Sequence, residues 1–452
     1  MNLADHCEPE VRSVVSGIGW PAIGSDAAAH LQALLFQMER SQWLPPEQLR
    51  TRQLGQMQLL LCHAQSSVPC YAEALRGLDI DGLDWEAFQA LPLLTRKDLQ
   101  AGFESLKSAA VPPGHGAVVQ GQSSGSTGMP VRFLQTAVTQ LFWNALTLRE
   151  HLWQERDFSG KLAAIRIKVK EGHWPDWGQP AAALFRTGPG ATLNVRTDVD
   201  KQLDWLVRED PDYFITHASN LQALAELSIQ RGIRLPRLRQ ARTYSEALRP
   251  DLREAVRAAW GVEVADGYSC EEAGYIALQC PRHEHYHVQA ENLLVEILDE
   301  TGRSCGPGET GRVVLTTLHN FAMPLIRYEL GDYAEFGTPC DCGRGLPVIS
   351  RIHGRRRNMI VLPDGRRHWP SFPSAMWLSV APIEQFQVVQ VDAGRLEIAY
   401  VMGRMLTDGE AQRLEEALSE KLGCRFMVRW NRVASISRSP GGKHEDFISR
   451  LA

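Results

Sequence analysis

The chain has no run approaching the ~20 consecutive apolar residues that a membrane-spanning helix requires, so no membrane span is expected. It also lacks an excess of positive charge. Its 48 Lys and Arg stand against 53 Asp and Glu, a net charge of -5, which is not the basic signature of a nucleic-acid binder. The opening stretch MNLADHCEPEVRS is acidic and has no apolar core, so no secretory leader is expected. Cysteines number nine, an odd count, and Cys7, Cys62, Cys70 and Cys424 are scattered singly. That argues against a disulfide framework and for reduced thiols in a cytoplasmic protein. Internal repeats and low-complexity tracts are missing too. What is present is ordinary: 452 residues, 44% hydrophobic and 22% charged, enough for a sizeable core and two or three domains.

Periodicity divides the chain. The first hundred residues read as helical: RQLGQMQLLLCHAQ sets Leu54, Met57, Leu60 and Leu61 at helical spacing, and Thr95 in LPLLTRKDLQ suits an N-cap. A further amphipathic helix is predicted from Thr136 to Glu155. Between 160 and 265, short apolar runs (KLAAIRIKV, DYFITHA) alternate with helical ones that close at Gly232 and Gly261. Strands alternating with helices predict an α/β fold of layered sheets and helices. From HVQAENLLVEIL onward the pattern turns to β, with turns at Thr301-Gly302 and Pro307-Gly308. It restarts near Arg355, where LEIAYVM, DGEAQRLEEALSEKLG and RFMVRW predict a small α+β unit. The expected domains are 1–354 and 355–452. The basic run GRRRNMIVLPDGRR at that junction reads first as a solvated loop, with a phosphate or partner contact as the alternative.

The stretch GQSSGSTGMP, residues 121–130, can turn backbone N–H groups and hydroxyls into one concavity, which is how a peptide holds phosphate oxygens. It is not G-x-x-x-x-G-K-[ST], because Met129 and Pro130 follow Gly128, and it is not G-x-G-x-x-G. Three further segments accompany it in order: DGYSCEEAGYIA (266–277), MPLIRYELGD (323–332) and RSPGGKHEDF (438–447). Together the four resemble the motif series of the adenylate-forming superfamily. LPLLTRKDL, MPLIRYELGD, PCDCGR and RIHGR narrow the resemblance to the phenylacetate–CoA ligase branch and its capsule-biosynthesis relatives, from about residue 50 to 449. It implies a large N-terminal α/β adenylation domain and a small, mobile C-terminal lid.

The resemblance further implies ATP and Mg²⁺ as cofactors. Ser123, Ser124, Gly125, Ser126, Thr127 and Gly128 would cradle the β- and γ-phosphates, with Met129 where many relatives carry Lys or Arg. Glu272 would hold Mg²⁺, a role suited to a hard oxygen ligand; Glu271 beside it replaces the usual Thr or Ser, and Ser269 the usual Gly. Tyr268 would stack on adenine, and Ser245, Glu246, Asp266 and Gly267 fall among the nucleotide-binding positions. Asp332 would accept both ribose hydroxyls. Arg327 would pair with a phosphate or brace Asp332, and Arg355 would reach ribose or phosphate, although Arg356, Arg357 and Asn358 after it are atypical of the hinge. Lys443 would bridge carboxylate and α-phosphate from the C-terminal domain.

Cys280, His283, His285 and His287, followed by Cys340 and Cys342, form a candidate structural zinc site of three thiols and one imidazole. His287 matches the resemblance best, and His283 or His285 is the alternative. The function expected is ATP-dependent activation of a small or aromatic carboxylic acid to acyl-AMP, then transfer to a thiol of CoA or of a carrier protein's phosphopantetheine. An amine or hydroxyl acceptor, or a nucleotide-binding relative without catalysis, are the alternatives. The expected partners are the acid and an acyl carrier protein, with a homodimer left open. Trp174 and Trp177 in KEGHWPDWGQP lie near the expected acyl pocket and slightly favour an aromatic acid, although packing is the commoner role of such residues.

Overall fold

The computed structural model describes residues 10–123, 130–370, 372–436 and 445–451. The strands, in chain order, are β1 (Val118–Gln122), β2 (Arg132–Thr136), β3 (Leu162–Arg166), β4 (Gly172–Trp174), β5 (Gly190–Asn194), β6 (Tyr213–His217), β7 (Gln240–Tyr244), β8 (Glu263–Cys270), β9 (Gly274–Gln279), β10 (Tyr286–Val288), β11 (Leu293–Leu298), β12 (Thr310–Thr317), β13 (Tyr328–Phe336), β14 (Val348–Arg355), β15 (Ile360–Val361), β16 (Arg367–His368), β17 (Gln385–Asp392), β18 (Arg395–Val401), β19 (Met427–Arg432) and β20 (Phe447–Ser449).

One twelve-stranded sheet runs β11-β12-β13-β14-β10-β9-β8-β7-β6-β3-β5-β4. Its middle stretch, β5-β3-β6-β7-β8, is parallel. The sequence explains why. Every residue of β6, YFITH, is buried, as a strand covered on both faces must be. The connections are helices, Ala218–Arg231 and Pro250–Trp260, which end at Gly232 and Gly261 with φ of 65° and 73°. Only a residue without Cβ takes that left-handed cap cheaply. The α/β expectation is therefore borne out, and so is the helix beginning at Thr136, which caps Ala137–Trp153 by accepting from Thr139 N–H.

Parallel strands share a carboxyl edge, and the crevice beyond that edge is where open α/β sheets bind ligands. Here β3, β6 and β7 end on Arg166, His217 and Tyr244, so three side chains arrive at one rim through strand register alone.

Residues beyond Arg355 build a second sheet, β19-β18-β17-β20, with its own core of Phe372, Trp377, Val388, Tyr400, Leu414 and neighbours. Helix Asp408–Leu422 covers it and starts with a reciprocal capping box between Thr407 and Glu410. The ion pair of Arg249 with Asp446 joins this part to the rest, while Arg357 pairs with Glu445 at 2.5 Å within it. The basic run is thus partly consumed internally, since Arg355 and Arg366 also have acid partners.

The N-terminal helices fasten to the far end of the large sheet. Gln53 on helix Pro46–Ser67 donates to the carbonyls of Ala290 and Leu293, at 2.8 and 3.2 Å, and Tyr71 donates to the Pro324 carbonyl at 3.1 Å.

Candidate active site

The carboxyl edge opens into a cavity of about 1080 Å³. Asp332, Tyr268, Arg355, Glu272 and Ser123 line one side of it; Arg166, Arg242, Tyr244 and Tyr275 line the other.

The best-defined element is the Asp332 carboxylate. Strands β13 and β14 pair with Asp332 opposite Arg355, which brings the guanidinium onto the carboxylate at 2.8 Å. The Tyr268 hydroxyl donates to the other oxygen at 2.8 Å. Arg355 also donates to the Leu330 carbonyl at 2.9 Å, and its pKa is raised by Asp332, against the opposing effect of burial. Tyr268 is pushed well above the usual phenol value, first by burial and then by Asp332, so it stays a neutral donor. Each Asp332 oxygen keeps a spare lone pair for a ligand hydroxyl. Gly331, with φ of 85°, makes the turn into Asp332, and a Cβ there would lie 3.5 Å from the guanidinium.

Glu272 is 4% exposed, in the turn between β8 and β9, with the Tyr328 hydroxyl donating to it at 3.4 Å. Glu271 is exposed, and its backbone carbonyl accepts from Gln135 at 2.9 Å. The hairpin β1–β2 presents Ser123, whose N–H donates to the Val131 carbonyl at 2.8 Å while its Oγ accepts from Val131 N–H at 2.9 Å. That double bond ties together the two ends of the segment Ser124, Gly125, Ser126, Thr127, Gly128 and Met129, which lies outside the described residues, as does Lys443.

Arg327 has a different role from the one expected. Its guanidinium pairs with Glu296 at 3.0 Å and donates to the carbonyls of Gln89 and Leu91, and it is not among the residues lining the cavity. Its φ of 49° turns the side chain away from the crevice, and its own carbonyl accepts from Leu94 N–H at 2.9 Å. Arg327 therefore lies away from the crevice and not in the catalytic position expected of it. The bond to Leu94 leads into helix Arg96–Ala101, where Arg96 reaches the Ser123 Oγ at 3.5 Å and lines the cavity. Sequence reasoning missed Arg96. Its signal was adjacency to the Thr95 cap, which sets it at the positive end of a helix.

Other expected nucleotide positions are accounted for as follows. Ser245 adopts φ of 73°, a strained conformation for a residue with Cβ. It directs Glu246 back onto helix Ala218–Arg231, where the carboxylate accepts from Ser219 N–H at 2.7 Å and Ser219 Oγ at 3.1 Å. Asp266 is buried and accepts from Thr243 and Tyr286, each at 2.7 Å, with its pKa raised by burial. Gly267 follows it on β8. Trp177 lines the cavity while packing on Phe158 with ring centroids 5.2 Å apart and donating to the Gly160 carbonyl, whereas Trp174 is 54% exposed and does not line it.

The far wall mixes aromatic side chains with charged ones. Glu150 receives Arg156 through two bonds of 2.7 Å and Arg242 at 3.2 Å. Burial alone would raise its pKa, but Arg156 and Arg242 outweigh that and bring it to about 2. His151 is pushed down to about 3, first by burial and then by Arg156, and is neutral at pH 7. Arg242 also donates to the Tyr275 hydroxyl at 2.9 Å. Arg166, which is exposed, lies over the Tyr244 ring, 5.2 Å from its centroid.

The cysteine cluster converges. The sulfurs of Cys280 and Cys340 are 3.9 Å apart, and Cys342 Sγ lies 3.3 Å from His287 Nε2. Cys280, His285, His287 and Cys340 each bring a ligand atom within 4.8 Å of the others. Bonds of about 2.3 Å to sulfur and 2.0 Å to nitrogen in a tetrahedron need separations of this order, so the donor set fits zinc. His283 instead meets Asp341 at 2.5 Å. The loop is pressed onto the N-terminal helices: Gly345 N–H donates to the Gln42 carbonyl at 2.8 Å, Arg344 donates to the Gln42 side chain at 3.0 Å, and a Cβ on Gly345 would overlap the Leu44 carbonyl oxygen.

No family model matches the chain. It is 26% identical over 390 residues to a phenylacetate–coenzyme A ligase of Thermus thermophilus, covering 81% of this chain and 83% of that one. It is 24% identical over 450 residues to the corresponding ligase of Pseudomonas putida, covering 93% and 98%. Among solved structures it superposes on 2-hydroxyisobutyryl-CoA ligase in its postadenylation state with a TM-score of 0.70, at 18% identity and 91% coverage of each chain. An anthranilate CoA ligase bound to anthranoyl-AMP matches with a TM-score of 0.51 at 18% identity, over 72% of this chain and 65% of that one. The fold is that of adenylate-forming enzymes, and the resemblance to the phenylacetate–CoA ligase branch holds along the chain. Among the described residues, no helix is long and apolar enough to cross a membrane.

Two outcomes follow from the buried charges. Arg327→Met leaves Glu296 unpaired and should cost about 3–5 kcal/mol in urea unfolding, with Glu296→Gln,Arg327→Met costing clearly less; equal losses would contradict the pairing. His151 has a folded pKa below its unfolded one, so protons favour the unfolded chain and stability falls as pH drops from about 6.5 toward 3. Between pH 7 and 5 its share is about 2 kcal/mol. A His151→Asn variant should show a correspondingly flatter unfolding midpoint over that range.

Proposed function

We propose that this chain is an AMP-forming acid–CoA ligase of the phenylacetate–CoA ligase type. It activates a carboxylic acid with ATP and then passes the acyl group to the thiol of CoA. The observation that carries this reading is the Asp332 carboxylate, held by Tyr268 and Arg355 at the rim of a large crevice with two acceptor sites still open. The full-length similarity to phenylacetate–CoA ligases supports it.

In the first half-reaction a substrate carboxylate oxygen attacks the α-phosphorus of ATP, the bond to the β-phosphate oxygen breaks, and pyrophosphate leaves. Two anions must be brought together, so the catalyst has to supply positive charge and orientation. In this reading Asp332 holds the ribose hydroxyls and Tyr268 presents its ring to adenine while orienting Asp332. Ser123 and its loop receive the β- and γ-phosphates. Arg96, at the base of that loop, supplies the cation that Met129 does not. Lys443 comes from the C-terminal part to neutralise the developing charge at the α-phosphate. Glu272 would hold Mg²⁺, which when bound offsets phosphate charge. In the second half-reaction the CoA thiolate attacks the acyl carbonyl and AMP leaves; rotation of residues 355–452 takes Lys443 away before this step. Cys280, Cys340, Cys342 and His287, with His285 adjacent, would hold a structural zinc.

Purified protein given ATP, Mg²⁺ and a panel of carboxylic acids should release pyrophosphate, and Lys443→Ala should lower that release at least 100-fold while ATP still binds. Undiminished release in the variant would remove Lys443 from the mechanism. Preformed adenylate should yield a thioester with CoA and little product with amines. For the metal, elemental analysis should find close to one zinc per chain, and Cys342→Ser should lose it along with several degrees of thermal stability. A metal-free wild type of equal stability would show the thiols to be simple core residues.

A further inference from the structure

Asp446 is the residue before β20, and the small sheet holds its backbone. Val388 N–H donates to the Asp446 carbonyl at 2.8 Å, and β20 then pairs in parallel with β17. On either side, Glu445 pairs with Arg357, and Asn358 donates to the Phe447 carbonyl at 2.7 Å. The backbone of 445–447 therefore belongs to the C-terminal part and moves with it. The Asp446 carboxylate reaches out of that part and meets the guanidinium of Arg249.

Arg249 is the residue before helix Pro250–Trp260, whose Leu252, Val256 and Ala259 are fixed in the core beside the parallel strands. It lines the crevice together with Glu445, Asp446 and Phe447. The two paired side chains are 26% and 25% exposed, so the pair is neither fully screened by water nor sealed from it. Asp446 is not the one acid near Arg249, because its Nε also lies 3.5 Å from Asp251. Burial works against the charge of Arg249; Asp446, then Asp251, Glu226 and Glu246, outweigh it, so its pKa is raised. Breaking a buried pair is costly when it strands the remaining charge. Here the withdrawal of Asp446 leaves Arg249 among three acids of the larger part, so the contact can break and re-form without stranding it.

Lys443 stands three residues before Asp446. Three residues span at most about 11 Å. Anchoring Asp446 to Arg249 thus confines Lys443 to the neighbourhood of the crevice that Asp446 itself lines. On the reading of acid activation given above, on which this inference rests, the first half-reaction needs Lys443 there and the second needs it gone. Rotation of residues 355–452 carries Asp446 along with β20 and leaves Arg249 with its helix, so the pair must break between the two steps. We infer that Arg249 is a positioning residue for the first half-reaction. Through Asp446 it holds the C-terminal part where the adenylate forms, and its release opens the way to thioester formation.

The test measures the half-reactions separately. Arg249→Met and Asp446→Asn should each slow single-turnover pyrophosphate release by about 5- to 10-fold, while thioester formation from preformed adenylate and CoA is unchanged or faster. The double variant should be no slower than either single one, because both substitutions remove the same pair. Arg249→Lys should recover most of the rate. Equal losses in both half-reactions, or losses that add in the double variant, would make Arg249 a merely structural residue and overturn the inference. Hydrogen exchange reads the contact without any reaction. The peptide 445–449 should exchange faster in Arg249→Met, and the peptide 244–252 faster in Asp446→Asn, each peptide being free of its own substitution. A wild type that releases no pyrophosphate with any acid defeats the activation reading and the positioning role with it. Normal release, with exchange and both half-reactions unchanged in the variants, defeats the role of Arg249 alone.

Discussion

The Asp332 carboxylate accepts from Tyr268 on one oxygen and from Arg355 on the other, and these two bonds join β8, β13 and β14, which span nearly a hundred residues of sequence. A carboxylate in that position costs desolvation, and it is tolerated because both oxygens are met by donors that do not titrate near neutrality. The residues on this side of the crevice take their bearings from this arrangement. Tyr268 is fixed by its hydroxyl at the cavity wall. Arg355 is fixed by Asp332 and the Leu330 carbonyl, so the chain enters the C-terminal part from a defined point.

Much of this was legible in the sequence, and the reason is local. Helix starts such as Thr95 and Thr136 follow from capping chemistry within three residues, and the resemblance to family motifs implied that Tyr268, Glu272 and Asp332 belong together, as they do at the cavity wall. Cys280 and the Cys340–Cys342 pair were legible because thiols at that spacing have few other uses. Arg327 shows where such reading stops. One positive φ sends its side chain into Glu296 instead of the crevice, and no neighbour in sequence announces it.

Arg96 was illegible for a different reason. Its meaning lies in what is opposite it. Arg96 matters because Ser123 is near, a fact that arises from packing between separate elements of the chain. Of the two tryptophans only Trp177 lines the cavity, and composition near an expected pocket does not say which side chains turn inward.

The loop of Cys340, Cys342 and Gly345 grips Gln42 and Leu44, three hundred residues upstream. During synthesis the N-terminal helices leave the ribosome first, yet the surfaces that fasten them, at residues 290–293, 324 and 345, are made last. Loop closure over such distances carries an entropic cost that is repaid only when the distant partners arrive. The oldest part of the nascent chain must therefore wait, undocked and with its apolar faces open, until more than three quarters of the protein exists. That makes the N-terminal helices the segment most dependent on protection while the chain is growing.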